Sequence, residues 1–189
     1  MQHVRFGRTG LQVSRLCLGT MTFGLQCDEK TSFAILDAAA GHGITFLDTA
    51  DAYPLGDKLE NMGRTEEILG KWLKGRREQF VVATKCSGKV GPAAWQQGTS
   101  RKHVLKAIDD SLRRLGTDYV DLYQVHHFDA NTPVDETVEA FDAVVKAGKA
   151  RYVGVSNCHA CRVARALGRA EALKLAKLGY VVVVNYASN

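Results

Sequence analysis

No stretch of this 189-residue sequence holds the roughly 18 consecutive apolar residues that a membrane-spanning helix needs. The N-terminus, MQHVRFGRTG, also lacks the charged-then-apolar order of a secretory signal, so a cytoplasmic protein with no membrane contact is expected. A disulfide framework is excluded by cysteine usage: the five cysteines (17, 27, 86, 158 and 161) are odd in number, scattered, and read as reduced thiols. Cys158-His159-Ala160-Cys161 has C-x-x-C spacing, but no second ligand pair stands at zinc-site spacing, which argues against a metal centre. Zinc-finger and RNP-like motifs are missing. The net charge of +5 comes from 25 Lys and Arg interspersed with 20 Asp and Glu along helix faces, the pattern of a solvated surface. Nucleic acid is therefore not expected as a partner, whereas a small phosphorylated ligand fits the charge balance.

What is present is a globular composition, 46% hydrophobic and 24% charged, read as one domain over residues 1–189. Two β-rich runs flank Arg8-Thr9-Gly10 as a hairpin, and a further run ends at Gly19-Thr20. Alternation follows. Helical spacing over 30–43 precedes a strand at 44–48, and Thr65-Glu66-Glu67, a capping residue followed by two acids, opens a second helix before a strand at 79–86. Ser100 caps a third helix with Val104, Leu105, Ile108, Leu112 and Leu115 on one face, and residues 118–127 form the next strand. A fourth helix between Thr132-Pro133 and Gly148 leads to a strand at 150–157, a helix over 160–178 and a strand at 180–187. Strands alternating with helices predict βαβ units and a parallel sheet. A (β/α)8 TIM-barrel type is preferred over a doubly wound sheet because polar residues recur at the C-terminal ends of successive strands.

Those ends carry Asp48, Lys85, His126 and Ser156-Asn157, with Tyr53 in the loop after Asp48. A barrel converges such positions on one rim. A free phenol, with a pKa of about 10, is a poor acid near neutrality, but a cation beside it favours the phenolate, and Lys85 is the natural cation. Asp48 would balance the lysine charge, and His126 would orient a carbonyl oxygen or share the proton. Taken singly, each has a structural reading: Asp48 as a turn former, Lys85 as a surface group, His126 as a polar strand end, Ser156-Asn157 as a helix cap. Coincidence at four successive strand ends favours a site.

Through LCLGTMTFG, FLDTADAY, GRTEEILGKWLK, VVATKC, SLRRLGTDYVDLYQVHH and KARYVGVSN, the sequence resembles the aldo-keto reductases over nearly its whole length. The branch it looks most like contains aryl-alcohol dehydrogenase-like and potassium-channel β-subunit-like proteins. The resemblance implies an NADPH-dependent oxidoreductase that reduces an aldehyde or ketone, with a tetrad of Asp48, Tyr53, Lys85 and His126 and Tyr53 as the general acid. It also implies that Ser156 and Asn157 hold the nicotinamide carboxamide, that Thr20 and Met21 lie beside its ribose, and that Asn185 stands where relatives commonly place a glutamine. The only G-x-G, Gly41-His42-Gly43, precedes a strand and does not suggest a Rossmann site.

Against the family's eight strands, about six βα units are expected here, an incomplete barrel whose open edge a second copy could cover. The alternative function is a nicotinamide-binding or interaction fragment with weak or no turnover. The segment 167–189 also resembles the first helix and second strand of short-chain dehydrogenases, without their glycine-rich loop. Trp95, in the loop over 87–100, is either a substrate contact or a solvent-facing side chain.

Overall fold

The computed structural model describes residues 1–172 and 180–182. Two strands, β1 (His3–Arg5) and β2 (Gln12–Ser14), pair antiparallel with His3 opposite Ser14. Their connection is closed by Phe6 N–H donating to Leu11 O at 2.8 Å and by the Thr9 hydroxyl donating to Phe6 O at 2.7 Å, which places the expected tip at Arg8-Thr9-Gly10. Then β3 (Cys17–Gly19), α1 (Glu29–Gly41), β4 (Phe46–Asp48), α2 (Arg64–Leu73), β5 (Val81–Cys86) and α3 (Arg101–Leu115) alternate. They continue into β6 (Val120–Val125), α4 (Val134–Lys146), β7 (Ala150–Val155), α5 (Ala160–Ala172) and β8 (Tyr180–Val182).

From β3 to β8 every pairing is parallel and the spatial order equals the chain order. A doubly wound sheet reverses its direction of strand addition at a switch point, whereas a barrel wall adds each strand beside the last. The sheet is thus the wall of an incomplete (β/α)8 barrel preceded by a hairpin.

Local chemistry sets most boundaries. Asp28 Oδ1 accepts from Thr31 N–H at 2.7 Å to start α1, and Ser100 Oγ accepts from His103 N–H at 3.4 Å to start α3. At the end of α3, Gly116 takes φ 65°, the left-handed conformation glycine adopts without a Cβ clash. The second helix differs from expectation. Its cap is Gly63 at φ 88°, not Thr65, and both Thr65 and Glu66 are turned inward. The Thr65 hydroxyl donates to Phe23 O at 2.7 Å, while Glu66 accepts from Thr84 Oγ1 at 2.5 Å and from Arg114 Nε at 2.7 Å. Partners inside the fold, distant in the chain, outweigh the capping and helix-dipole roles. Strands are shorter than the apolar runs suggest, as at Arg77–Gln79, which forms one 3₁₀ turn before β5. The expected continuations of α5 and β8 over 173–179 and 183–187 lie outside the described residues.

Packing separates two interiors. Between sheet and helices, Leu47, Val82, Tyr123 and Val125 meet Leu36, Ile68, Trp72, Ile108, Phe141 and Val144. On the sheet's inner face, Phe46, Ala83 and Leu122 meet Val13 of the hairpin, flanked by Phe6 and Leu11. The Phe6 and Phe46 rings are edge-to-face at 5.3 Å. Ser14 Oγ also accepts from the N–H groups of Thr45 at 3.1 Å and Phe46 at 3.2 Å. The hairpin therefore plugs the end of the barrel interior where the strands begin, leaving the other end for polar groups.

Candidate active site

Strand side chains alternate faces, so counting by two from the plug residues leads into the site. Phe46 leads to Asp48 on β4, Ala83 to Lys85 on β5, and Leu122 to Gln124 and then His126 at the end of β6. Register aligns them: Asp48 lies opposite Ala83, and Lys85 opposite Gln124.

Lys85 Nζ donates to Asp48 Oδ1 at 2.5 Å and to Thr49 O at 2.8 Å, and it lies 3.4 Å from Tyr53 Oη. Tyr53 Oη is also 3.4 Å from His126 Nε2. Tyr53, Lys85 and His126 are buried, so the ammonium acts where water screens it weakly. The expected four groups do come together. Burial, the Lys85 charge and then His127 push the His126 imidazole down to about 3, so the ring is neutral near pH 7. Its Nδ1 is buried with no hydrogen-bond partner among the described residues.

Gln124 joins them as a group that residue type alone does not single out. Its Nε2 donates to the second carboxylate oxygen of Asp48 at 3.3 Å, so Asp48 is held by Lys85 and Gln124 together. The signal available in the sequence is its position two residues before His126, which puts both on one face of the strand. The Thr49 carbonyl, Asp51 and Glu66 likewise go unmarked as site groups; nothing in the sequence ranks them above ordinary turn and helix residues.

Ser156 and Asn157 stand at the end of β7 beside His126. Asn157, at φ 49°, donates from Nδ2 to His126 O and to Ser156 Oγ, each at 3.1 Å. Thr20 and Met21 divide. Thr20 is fully buried, and its N–H and hydroxyl both donate to Asp48 O, at 3.0 and 2.9 Å, which ties the end of β3 to β4. The Met21 side chain is exposed at the rim. Asn185 lies outside the described residues. Trp95 is 39% exposed with Lys102 Nζ 4.4 Å from its ring centroid, a surface cation–π pair.

Among the described residues no three His, Cys, Asp or Glu side chains gather as a metal site, and no helix is long and apolar enough to cross a membrane.

A model of the aldo/keto reductase family matches residues 15–188. The chain is 45% identical over 179 residues to the uncharacterized oxidoreductase YrpG of Bacillus subtilis, covering 90% of this chain and 54% of that protein. It is 39% identical over 197 residues to protein tas of Escherichia coli, covering 90% of this chain and 56% of that protein. To a probable voltage-gated potassium channel subunit beta of Arabidopsis thaliana it is 40% identical over 176 residues, covering 93% and 52% respectively. It thus spans about half the length of these curated relatives. Sequence, sheet order and comparison agree, and the chain belongs to the aldo/keto reductase family.

Proposed function

We propose that the chain carries the catalytic half of an NADPH-dependent carbonyl reductase, in which Tyr53 gives its proton to the oxygen of an aldehyde or ketone. The observation that supports this best is the connected set Asp48–Lys85–Tyr53–His126, with successive separations of 2.5, 3.4 and 3.4 Å. Lys85, held by Asp48 and Thr49 O, stabilises the phenolate left when Tyr53 has given its proton. Gln124 keeps the carboxylate turned toward the lysine. His126, neutral, can donate a ring N–H to the same carbonyl oxygen without adding a second positive charge beside Lys85.

A nicotinamide cofactor fits the rim. The Ser156 hydroxyl and the Asn157 carboxamide stand next to His126 and are of the type that pairs with an amide, and the Met21 side chain is available to cover a ribose. When bound, the cofactor supplies the hydride. Thr20 serves by locking Asp48 in place, since both its donors are spent on Asp48 O.

The test is titration of the protein with NADPH, followed by nicotinamide fluorescence, and then addition of 4-nitrobenzaldehyde. Saturable binding and turnover are expected. Tyr53→Phe should keep the binding and lose roughly 10²–10⁴-fold in turnover, the usual worth of a positioned proton donor. Turnover independent of Tyr53 would overturn the reading; binding without turnover would leave a nicotinamide-binding module.

A further inference from the structure

Between Asp48 and Tyr53, the turn that delivers the phenol contains a second acid, Asp51, which is only 1% exposed and whose carboxyl oxygens meet hydrogen-bond geometry with no partner among the described residues. Its backbone is well anchored. Asp51 N–H donates to Lys85 O at 3.0 Å and Thr49 N–H to Ala83 O at 2.9 Å, so the segment lies along β5 as a continuation of β4. On its far side, Tyr53 O accepts from Gly63 N–H at 3.0 Å. Gly88 closes over the turn, where a Cβ would come within 2.5 Å of Ala52 Cβ and 3.8 Å of Asp51 Oδ1.

The charged and titratable groups that face Asp51 are Glu66 from α2, Arg114 from α3, Lys85 and Cys86 from β5, and Tyr123 from β6. Both cations are already matched. Arg114 places Nε and Nη2 each 2.7 Å from Glu66 Oε2, and Lys85 is paired with Asp48. An ionised Asp51 would therefore add a negative charge with no counter-ion of its own among the described residues and only the neighbouring Ala52 N–H to favour it, in a place that water does not reach. A buried group in that position takes up a proton instead. Burial, reinforced by the Glu66 charge, accordingly raises this carboxyl well above the ordinary carboxylate range.

We propose that Asp51 is a positioning residue carried as the neutral acid, and that its proton keeps the Tyr53 turn docked on β5. Loss of the proton puts an unmatched charge under the turn, which then lifts and withdraws Tyr53 from Lys85 and His126. The folded state holds a proton that the unfolded chain releases from about pH 4 upward, so this group's contribution to stability falls as pH rises from there toward its folded value. The consequence for turnover rests on the catalytic reading of Tyr53 given above, whereas the proton and the docking do not.

The test compares wild type with Asp51→Asn, which keeps the shape and removes only the ionisation. Amide hydrogen exchange, normalised for base catalysis, is followed at Thr49, Asp51 and Gly63, with Val104 in α3 as control. Between about pH 4 and the folded value, wild-type protection at the three sites should fall by up to about tenfold per pH unit and then level off, while the variant and the control stay flat. The stability of Asp51→Asn relative to wild type in urea should start near zero at about pH 4 and grow with pH. Equal protection in both proteins at every pH, or a stability difference that does not change with pH, would overturn the proposal. Should the variant fail to fold, the carbon-13 titration of the wild-type Asp51 carboxyl decides. A carboxyl still protonated at neutral pH sustains the proposal, and ionisation in the ordinary range overturns it. Normal docking with no turnover would count against the catalytic reading alone.

Discussion

The two ends of the barrel interior are built from the same strands and have opposite character. Where the strands begin, Phe46, Ala83 and Leu122 are sealed by Val13 of the hairpin. Two residues further on, the same faces present Asp48, Lys85 and Gln124. The plugged end derives its energy from apolar burial, which depends on volume and tolerates change of identity; the open end depends on a few distances and tolerates little. One interior thus holds a stabilising end and a polar end a single strand pleat apart.

The largest expected effect should separate these two roles. Phe46→Ala removes a buried ring and its edge-to-face partner, and it should cost about 3–5 kcal/mol of unfolding free energy in urea while leaving NADPH affinity per folded molecule unchanged. A change in affinity comparable to the Tyr53→Phe loss in turnover would mean that the two ends are not independent.

A second measurement sharpens the contrast through pH. His126 has a folded value of about 3 against an ordinary 6.5, so its part of the stability is fully present above pH 6.5 and is lost as pH falls toward 3. His126→Gln should make the acid limb of the stability curve shallower in that window, and the alkaline side should be unaffected. An unchanged acid limb would show that the imidazole titrates normally and that its surroundings are wet.

The smallest effect is expected at the rim. Trp95→Ala removes an exposed cation–π pair with Lys102 and should cost no more than about 1 kcal/mol, with KM for 4-nitrobenzaldehyde unchanged. A raised KM would make Trp95 a substrate contact.

Much of the polar end is legible along the chain. Strand-end polar residues and the two-residue period predict that Asp48, Lys85 and His126 meet, because an inward-facing position at a barrel strand's C-terminal end has only one place to go. Helix α3 is likewise readable, since its cap, apolar stripe and terminal glycine are all local signals. Thr65 and Glu66 mislead a local reading because their partners, Phe23, Thr84 and Arg114, lie 18 to 48 residues away in the chain. Gln124 gives no signal of its own because a glutamine inside a strand carries no chemistry until the register sets it against Asp48.

The sequence by itself determined the alternation of strands and helices, the family, and which side chains have the chemistry to react. Those properties follow from periodicity and residue type along the chain. Only the tertiary structure decided which polar groups are spent: Thr20 on Asp48 O, Arg114 on Glu66, and the Asp51 carboxyl on no side chain among the described residues. Pairing is a property of distance and burial between elements, and a carboxyl is an ion or an acid according to what the fold places beside it.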